Sequence, residues 1–262
     1  MIHPPTAKQA HPMARGFTLI ELLVVITIIL VLAALSLAGF SKMRSSGDMI
    51  CSSSNISQLM VANASYAADN NGKYVPYARL PTDAETAAGV EYSSQLLWTT
   101  NWIFLSNLRG QAIVGHEGDA PLTALDPITV RAKMSEYTKL YTSYGYNTTN
   151  QPGKGTPGTA WPGTGCNQSF SVNQVSNPSR TACFITGTDI GVTCSNPVLW
   201  KTPTNQKEGK TVNSMMSFRH ANKTKAVAVY YDGHVSILSV ADMEKVNTQG
   251  GSNNAFWNAL AP

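Results

Sequence analysis

Charge is scarce in this 262-residue chain: Asp, Glu, Lys and Arg together make up 13% of it, where about 25% is usual. Nineteen Lys and Arg against fifteen Asp and Glu leave a formal charge of +4. That is too little clustered cation to neutralise a run of phosphates, so no nucleic-acid partner is expected. A highly charged disordered tail is excluded on the same ground. The four cysteines, Cys51, Cys166, Cys183 and Cys194, are spaced too widely for a CxxC zinc or redox motif. Phosphate-binding GxxxxGK[ST], GxSxG, HExxH and EF-hand patterns are all missing. The acids form no dense cluster, with Asp69, Asp119 and Asp189 isolated. No metal or cofactor is therefore expected, and structural calcium has no assignable site. Proline is absent between Phe17 and Val75, and no internal repeat is visible.

What is present is concentrated at one end. Residues 17–40 are apolar except for Thr18, Glu21, Thr27, Ser36 and Gly39. As a helix they extend roughly 36 Å, enough to cross a hydrocarbon core of about 30 Å. Residues 1–16 carry Lys8 and Arg15 and no acid, which predicts a cytoplasmic amino terminus and a head outside the cytoplasm. A secretory signal peptide needs an apolar core of only about 7–15 residues ending in small residues, and this run is longer. For a plain uncleaved anchor, Glu21 is a pure cost of about 2.5–3.5 kcal/mol unless it finds a partner.

Arg15-Gly16-Phe17-Thr18-Leu19-Ile20-Glu21-Leu22 resembles the processing signature of type IV prepilins and type II secretion pseudopilins. That pattern has a basic leader, a Gly at the cut, an aromatic first mature residue, and a Glu four positions on at the head of an apolar helix. The resemblance implies cleavage between Gly16 and Phe17 by prepilin peptidase and methylation of the new amine on Phe17. It also implies that Glu21 pairs with the amino terminus of a neighbouring subunit during assembly, so that two charges in a low-dielectric setting cancel. The implied partners are prepilin peptidase, other pilin-like subunits, the inner-membrane assembly machinery and, before assembly, membrane lipid.

Beyond the apolar run, Ile56, Leu59, Met60, Asn63 and Ala67 fall on one stripe of a helix, and Asn70-Asn71-Gly72 is the predicted stop. A helix from 17 to about 69 is expected, with Gly39 and Gly47 as its weakest points; the alternative is two helices joined around Ser45-Ser46-Gly47. Residues 96–108 suit either helix or strand, and their aromatic residues predict burial. Residues 147–165 are dominated by Gly, Pro, Thr and Asn and read as a surface loop, with Trp161 its only large apolar residue. The strongest strand signal is 226–231 and 234–238, a hairpin closed by a two-residue Asp232-Gly233 turn. Residues 214–220 are expected to add a third strand through a turn at 221–224. Packing that small antiparallel sheet on the amphipathic helix buries both apolar faces.

A second resemblance lies in this region. Asn177-Pro178-Ser179-Arg180-Thr181, Phe218-Arg219-His220 and Tyr231-Asp232-Gly233-His234-Val235 are similar to the carboxyl-terminal module called prepilin-type processing-associated H-X9-DG. Cys51 with Asn55 and Leu59, Tyr66-Ala67 with Asp69-Asn70, and Ser143-Tyr144-Gly145-Tyr146-Asn147 also look like its recurring phrases. Here eleven residues, rather than nine, separate His220 from Asp232. On the hairpin reading those two side chains lie roughly 20 Å apart at about 3.3 Å per residue. A catalytic dyad is therefore not expected, and Asp232 is assigned to turn chemistry and His220 to a strand-end hydrogen bond. An extracytoplasmic chain can keep disulfides. The expected pairs are Cys183 with Cys194 and Cys51 with Cys166, with free buried thiols the alternative.

These readings converge on an α+β, pilin-like chain of four parts. Residues 1–16 form a cleaved leader and 17–40 a transmembrane helix. Residues 41–70 form an amphipathic continuation and 71–262 an extracytoplasmic head. The expected function is that of a structural subunit rather than an enzyme, in a secretion pseudopilus or a type IV pilus-like filament. From another class, the alternative is a membrane-anchored binding module for glycan or protein ligands, with Trp161 at its contact loop.

Overall fold

The computed structural model describes residues 17–80, 83–87, 96–108, 125–131, 143–150, 168–194 and 215–262. Lys8, Arg15, Gly16, Asp119, Trp161 and Cys166 lie outside them. The chain divides into two compact units, Met1–Arg44 and Ser45–Pro262.

One helix, α1 (Leu19–Asp69), runs through Ser45-Ser46-Gly47 without a break. It starts at Thr18, whose hydroxyl accepts from the Glu21 amide, while the Glu21 carboxylate accepts from the Thr18 amide and hydroxyl. This reciprocal cap satisfies amides that the first turn leaves without carbonyl partners. At the other end Asn71 (φ 56°) and Gly72 (φ 73°) turn left-handed, and the Gly72 amide reaches back to the Ala67 carbonyl at 2.8 Å. That six-residue closure stops the helix where Asn-Asn-Gly predicted it.

In the first unit, every large apolar side chain from residue 17 to 35 is exposed; Leu19 is 84% accessible and Val25, the least exposed, 46%. The apolar stretch whose side chains are described, 19–35, is about 25 Å long at about 1.5 Å per residue. Among the described residues no helix is long and apolar enough to cross a membrane.

In the second unit, α1 turns Ser52, Ile56, Leu59, Met60, Asn63, Tyr66 and Ala67 inward. They meet a five-stranded sheet built from β3 (Tyr144–Asn147), β4 (Ala182–Thr186), β5 (Gly191–Val192), β6 (Lys225–Tyr230) and β7 (Val235–Ser239). The order is β5-β3-β4-β6-β7. Tyr144, Tyr146, Cys183, Phe184, Val227 and Val229 pack on the helix side. On the opposite face, Ala182, Ile185, Val192, Ala226, Ala228 and Tyr230 pack with Phe256, Trp257 and Met243; Met243 belongs to a terminal helix, Val240–Thr248. A register shift between Ala182 and Phe184 explains why the successive residues Cys183 and Phe184 share one face: an extra residue breaks the two-residue alternation. Residues 96–108 divide into a short strand, β2 (Leu96–Leu97), paired with β1 (Ala78–Arg79), and a helical turn, Trp102–Ser106.

Three sequence expectations need correction. The sheet is mixed, because β5 runs parallel to β3, pairing Tyr146 with Gly191. The chain leaves β4 and doubles back within a few residues to the far edge of β3, and glycine permits that approach. A Cβ on Gly145 would stand 2.3 Å from Val192 Cγ2 and 2.8 Å from the Asp189 carbonyl oxygen. Gly145→Ala is expected to destabilise the chain by about 1–3 kcal/mol, read as a lower urea midpoint at unchanged slope.

The hairpin loop holds three residues, Tyr231, Asp232 and Gly233, rather than two. The Tyr230 amide donates to the His234 carbonyl (3.0 Å) and the Gly233 amide to the Tyr230 carbonyl (2.9 Å). Only Gly233 is left-handed there, at φ 93°, as in a type I turn closed by a glycine bulge.

Finally, residues 215–220 form no strand. They meet the sheet through bridges at Met216 to Gly187 and His220 to Lys225, and through Ser217, whose amide donates to the Thr186 carbonyl at 2.8 Å and whose carbonyl accepts from the Thr186 hydroxyl at 2.9 Å. The 221–224 turn is present, with Ala221, Asn222 and Lys223 all at positive φ (47°, 57° and 65°). A left-handed conformation in three consecutive residues with side chains is costly. Hydrogen bonds from the Thr224 and Lys225 amides to the His220 carbonyl (3.0 and 3.1 Å) hold it.

Candidate functional site: the amino-terminal helix and a buried polar junction in the head

At the start of α1, Phe17 is 82% exposed, one residue before the cap. The Glu21 carboxylate lies 2.9 Å from the Thr18 amide and 2.7 Å from its hydroxyl. A negative charge in the first turn also suits the positive end of the helix dipole. Glu21 thus has a local role in starting the helix besides any role between subunits.

The head contains a polar junction that the sequence reading did not anticipate. Ser52 of α1 donates to Asp126 Oδ2 at 2.7 Å, and the same oxygen meets His220 Nε2 at 2.9 Å. The Tyr144 hydroxyl stands 3.2 Å from Ser52 Oγ, and the Asp126 amide donates to Ser143 Oγ at 3.1 Å. Ser52, Asp126, Tyr144 and His220 are fully buried. Arg219, 5% exposed, donates to the Gly187 carbonyl at 2.6 Å, to Ser217 Oγ at 3.2 Å and to Thr129 Oγ1. Burial pushes the Asp126 carboxyl up. The His220 hydrogen bond, the Arg219 charge and the Ser52 hydroxyl outweigh it, and the carboxyl titrates below its usual range. Burial, and then the Asp126 charge, drive the Tyr144 phenol well above its ordinary value.

The order of these groups decides their chemistry. A nucleophilic relay needs histidine between the hydroxyl and the acid; here the acid lies between serine and histidine, and all are sealed from solvent. The arrangement ties four parts of the head together: α1, the start of the Pro127–Arg131 helix, the entry to β3, and the 215–220 segment. Two further rungs extend it along α1. Asn55 donates to the Leu125 carbonyl at 2.7 Å, and Asn63 accepts from the Val75 amide at 2.8 Å and donates to Cys183 Sγ at 3.3 Å. Among the described residues, His220 Nδ1 has no hydrogen-bond partner. The tautomer with its proton on Nε2 leaves no buried N–H unpaired.

His220 and Asp232 therefore serve different contacts. Asp232 Oδ1 accepts from the His234 amide at 3.1 Å and meets His234 Nδ1 at 2.6 Å, and the Asp232 amide donates to the Pro178 carbonyl at 3.3 Å. The His234 ring stacks on Tyr230 with centroids 4.1 Å apart.

The expected Cys183–Cys194 disulfide is corrected, since both thiols are free; the expected partner of Cys51, Cys166, lies outside the described residues. Cys183 is buried on the helix side of the sheet, whereas Cys194 packs against the opposite side and donates to Asn247 Oδ1 at 3.1 Å. The β4 backbone lies between them. Burial pushes the Cys183 thiol far up, more than the Asn63 hydrogen bond lowers it. Among the described residues, no group of three or more His, Cys, Asp or Glu side chains could hold a metal ion. The Asp189 carboxylate is taken by the Ile190 amide at 2.7 Å.

Two observations define the class: an apolar helix left uncovered, and a glutamate capping its first turn just after Gly16-Phe17. Comparison with known proteins adds the family model described as the prokaryotic N-terminal methylation motif, which matches residues 12–37. The chain thus carries, over that segment, the prepilin-type methylation motif of a pilin-like prepilin peptidase substrate. No curated protein and no solved structure matches the chain.

Proposed function

We propose that this chain is a structural subunit of a type II secretion pseudopilus or type IV pilus-like filament. The observation that carries the reading is the methylation motif over residues 12–37, set at the head of a helix whose apolar side chains from 17 to 35 all face outward. Each such side chain gains about 1.5–3 kcal/mol on full burial, so this surface does not remain in water. In the reading, residues 17–40 cross the inner membrane with the amino terminus cytoplasmic, and the head is periplasmic until assembly. Residues 1–16, with Lys8 and Arg15, are removed by cleavage between Gly16 and Phe17, and the Phe17 amine is methylated. Neighbouring subunits then replace lipid around the helix, with Glu21 opposite a neighbour's amine. The head projects outward, its helix held by the Ser52, Asn55 and Asn63 contacts.

Mass spectrometry of the chain purified from membranes of cells containing prepilin peptidase tests the reading. The expected amino terminus is Phe17, one methyl group (about 14 Da) heavier than the unmodified chain. Retention of residues 1–16, or a terminus near residue 39 left by signal peptidase, rejects it.

A further inference from the structure

We propose that Lys42 and Arg44 form a basic collar that binds the phosphates of anionic phospholipid headgroups at the membrane face nearest the head; this rests on the reading that 17–40 spans the bilayer. Both side chains are exposed, on α1. No acid occurs between Glu21 and Asp48, and Asp48, one turn beyond Arg44, is half-buried. If the hydrocarbon core begins at Phe17, its thickness of about 30 Å ends near residue 37, and Lys42 then stands about 7–8 Å beyond it. That depth falls in the headgroup layer, about 5–8 Å thick on each side, and Arg44, about 3 Å further out along the helix, reaches back into it with its long side chain. Two residues apart on a helix, the cations point to nearly opposite sides, so they encircle the helix rather than form a one-sided patch. Phe40 and Met43, 65% and 69% exposed, place apolar surface at the same level.

The charge balance across the span gives the collar its significance. Basic residues near a span favour the cytoplasmic side. Lys8 and Arg15 precede this one, and Lys42 and Arg44 follow it. The second pair therefore opposes the proposed topology, and after cleavage it is the only basic flank left. Cations that work against insertion need another use at their final depth. A phosphate diester supplies it: arginine can bind two of its oxygens at once, and lysine meets it as a point charge.

The test places the full-length chain in nanodiscs of mixed phosphatidylglycerol and phosphatidylcholine and counts retained lipids by native mass spectrometry. The expected result is a preference for phosphatidylglycerol of about 25-fold, reduced about fivefold by Lys42→Gln or Arg44→Gln and abolished in the double variant. Equal retention of the two lipids by the unaltered chain overturns the proposal, as does a preference that survives in the double variant. Displacement of the lipid by excess soluble glycerol phosphate also overturns it, because a free phosphate is then the ligand. Carbodiimide cross-linking of Lys42 to a second copy, in place of lipid retention, assigns the collar to a neighbouring subunit's carboxylate and overturns it too. Failure to enter purely phosphatidylcholine nanodiscs rejects the spanning reading itself, and the collar with it. Entry without lipid preference rejects the collar alone.

Discussion

Asp126→Ala is expected to destabilise the full-length chain, measured by urea unfolding in detergent at neutral pH, by about 3–5 kcal/mol. The carboxylate accepts from Ser52 and meets His220, at 2.7 and 2.9 Å, and its charge acts on Arg219. Removing it takes the acceptor from a buried imidazole N–H and from a buried serine hydroxyl, and it removes a negative charge that acts on the buried Arg219. Asp126→Asn preserves the volume but replaces a charged acceptor of several hydrogen bonds by a neutral amide, so most of the loss should remain. The acid limb provides an independent reading. Because the folded-state carboxyl titrates below its unfolded value of about 3.9, its contribution is fully present above that pH. It is lost as the pH falls through the lower folded-state value. The unaltered chain should therefore lose stability below about pH 4 more steeply than Asp126→Asn does. A loss under about 1 kcal/mol at neutral pH, or identical acid limbs, refutes the structural role assigned to this junction.

That junction also marks how far sequence patterning reaches. The absence of proline, the stripe 56, 59, 60, 63 and 67, and the Asn-Asn-Gly stop together describe α1 (Leu19–Asp69) to within two residues at its start, since each depends on neighbours within a few turns. The junction depends on chain positions brought together by tertiary folding: Ser52 lies 74 residues from Asp126, and His220 lies 94 from it. Periodicity reveals which face of α1 is buried, and Ser52, Asn55 and Asn63 stand out as polar residues on that face. It does not identify their partners, and no local pattern singles out Asp126. The bulge at Ala182 to Phe184 is hidden for a similar reason. Strict alternation cannot place Cys183 beside Phe184 on the helix face, and that placement separates it from Cys194. The parallel pairing of β5 with β3 was equally hidden, because two residues are too few to show a period. At the amino terminus the opposite holds: the motif is contiguous, so the sequence states it in full.

Glu21 is expected to show the largest functional effect, and the cap at the start of α1 determines how it must be tested. Glu21→Ala removes two things at once: the reciprocal cap with Thr18, worth about 0.5–2 kcal/mol, and the charge that the resemblance pairs with a neighbour's amine. Glu21→Gln separates them, because an amide oxygen can still accept from the Thr18 amide while the charge is gone. Leaving an amine unpaired in a low-dielectric contact costs about 3–5 kcal/mol, equivalent to at least a hundredfold in an assembly equilibrium. Both variants should therefore lose sheared or cross-linked oligomers by about a hundredfold or more. Both should remain in the carbonate-resistant membrane fraction, because replacing a carboxylate lowers the cost of lying in lipid. If Glu21→Gln assembles normally and only Glu21→Ala fails, the helix cap is the whole contribution of this residue and the intersubunit charge pair is refuted. Equal assembly by both variants at wild-type levels would show that the uncovered apolar surface drives association without Glu21, leaving the charge a cost that only membrane insertion bears.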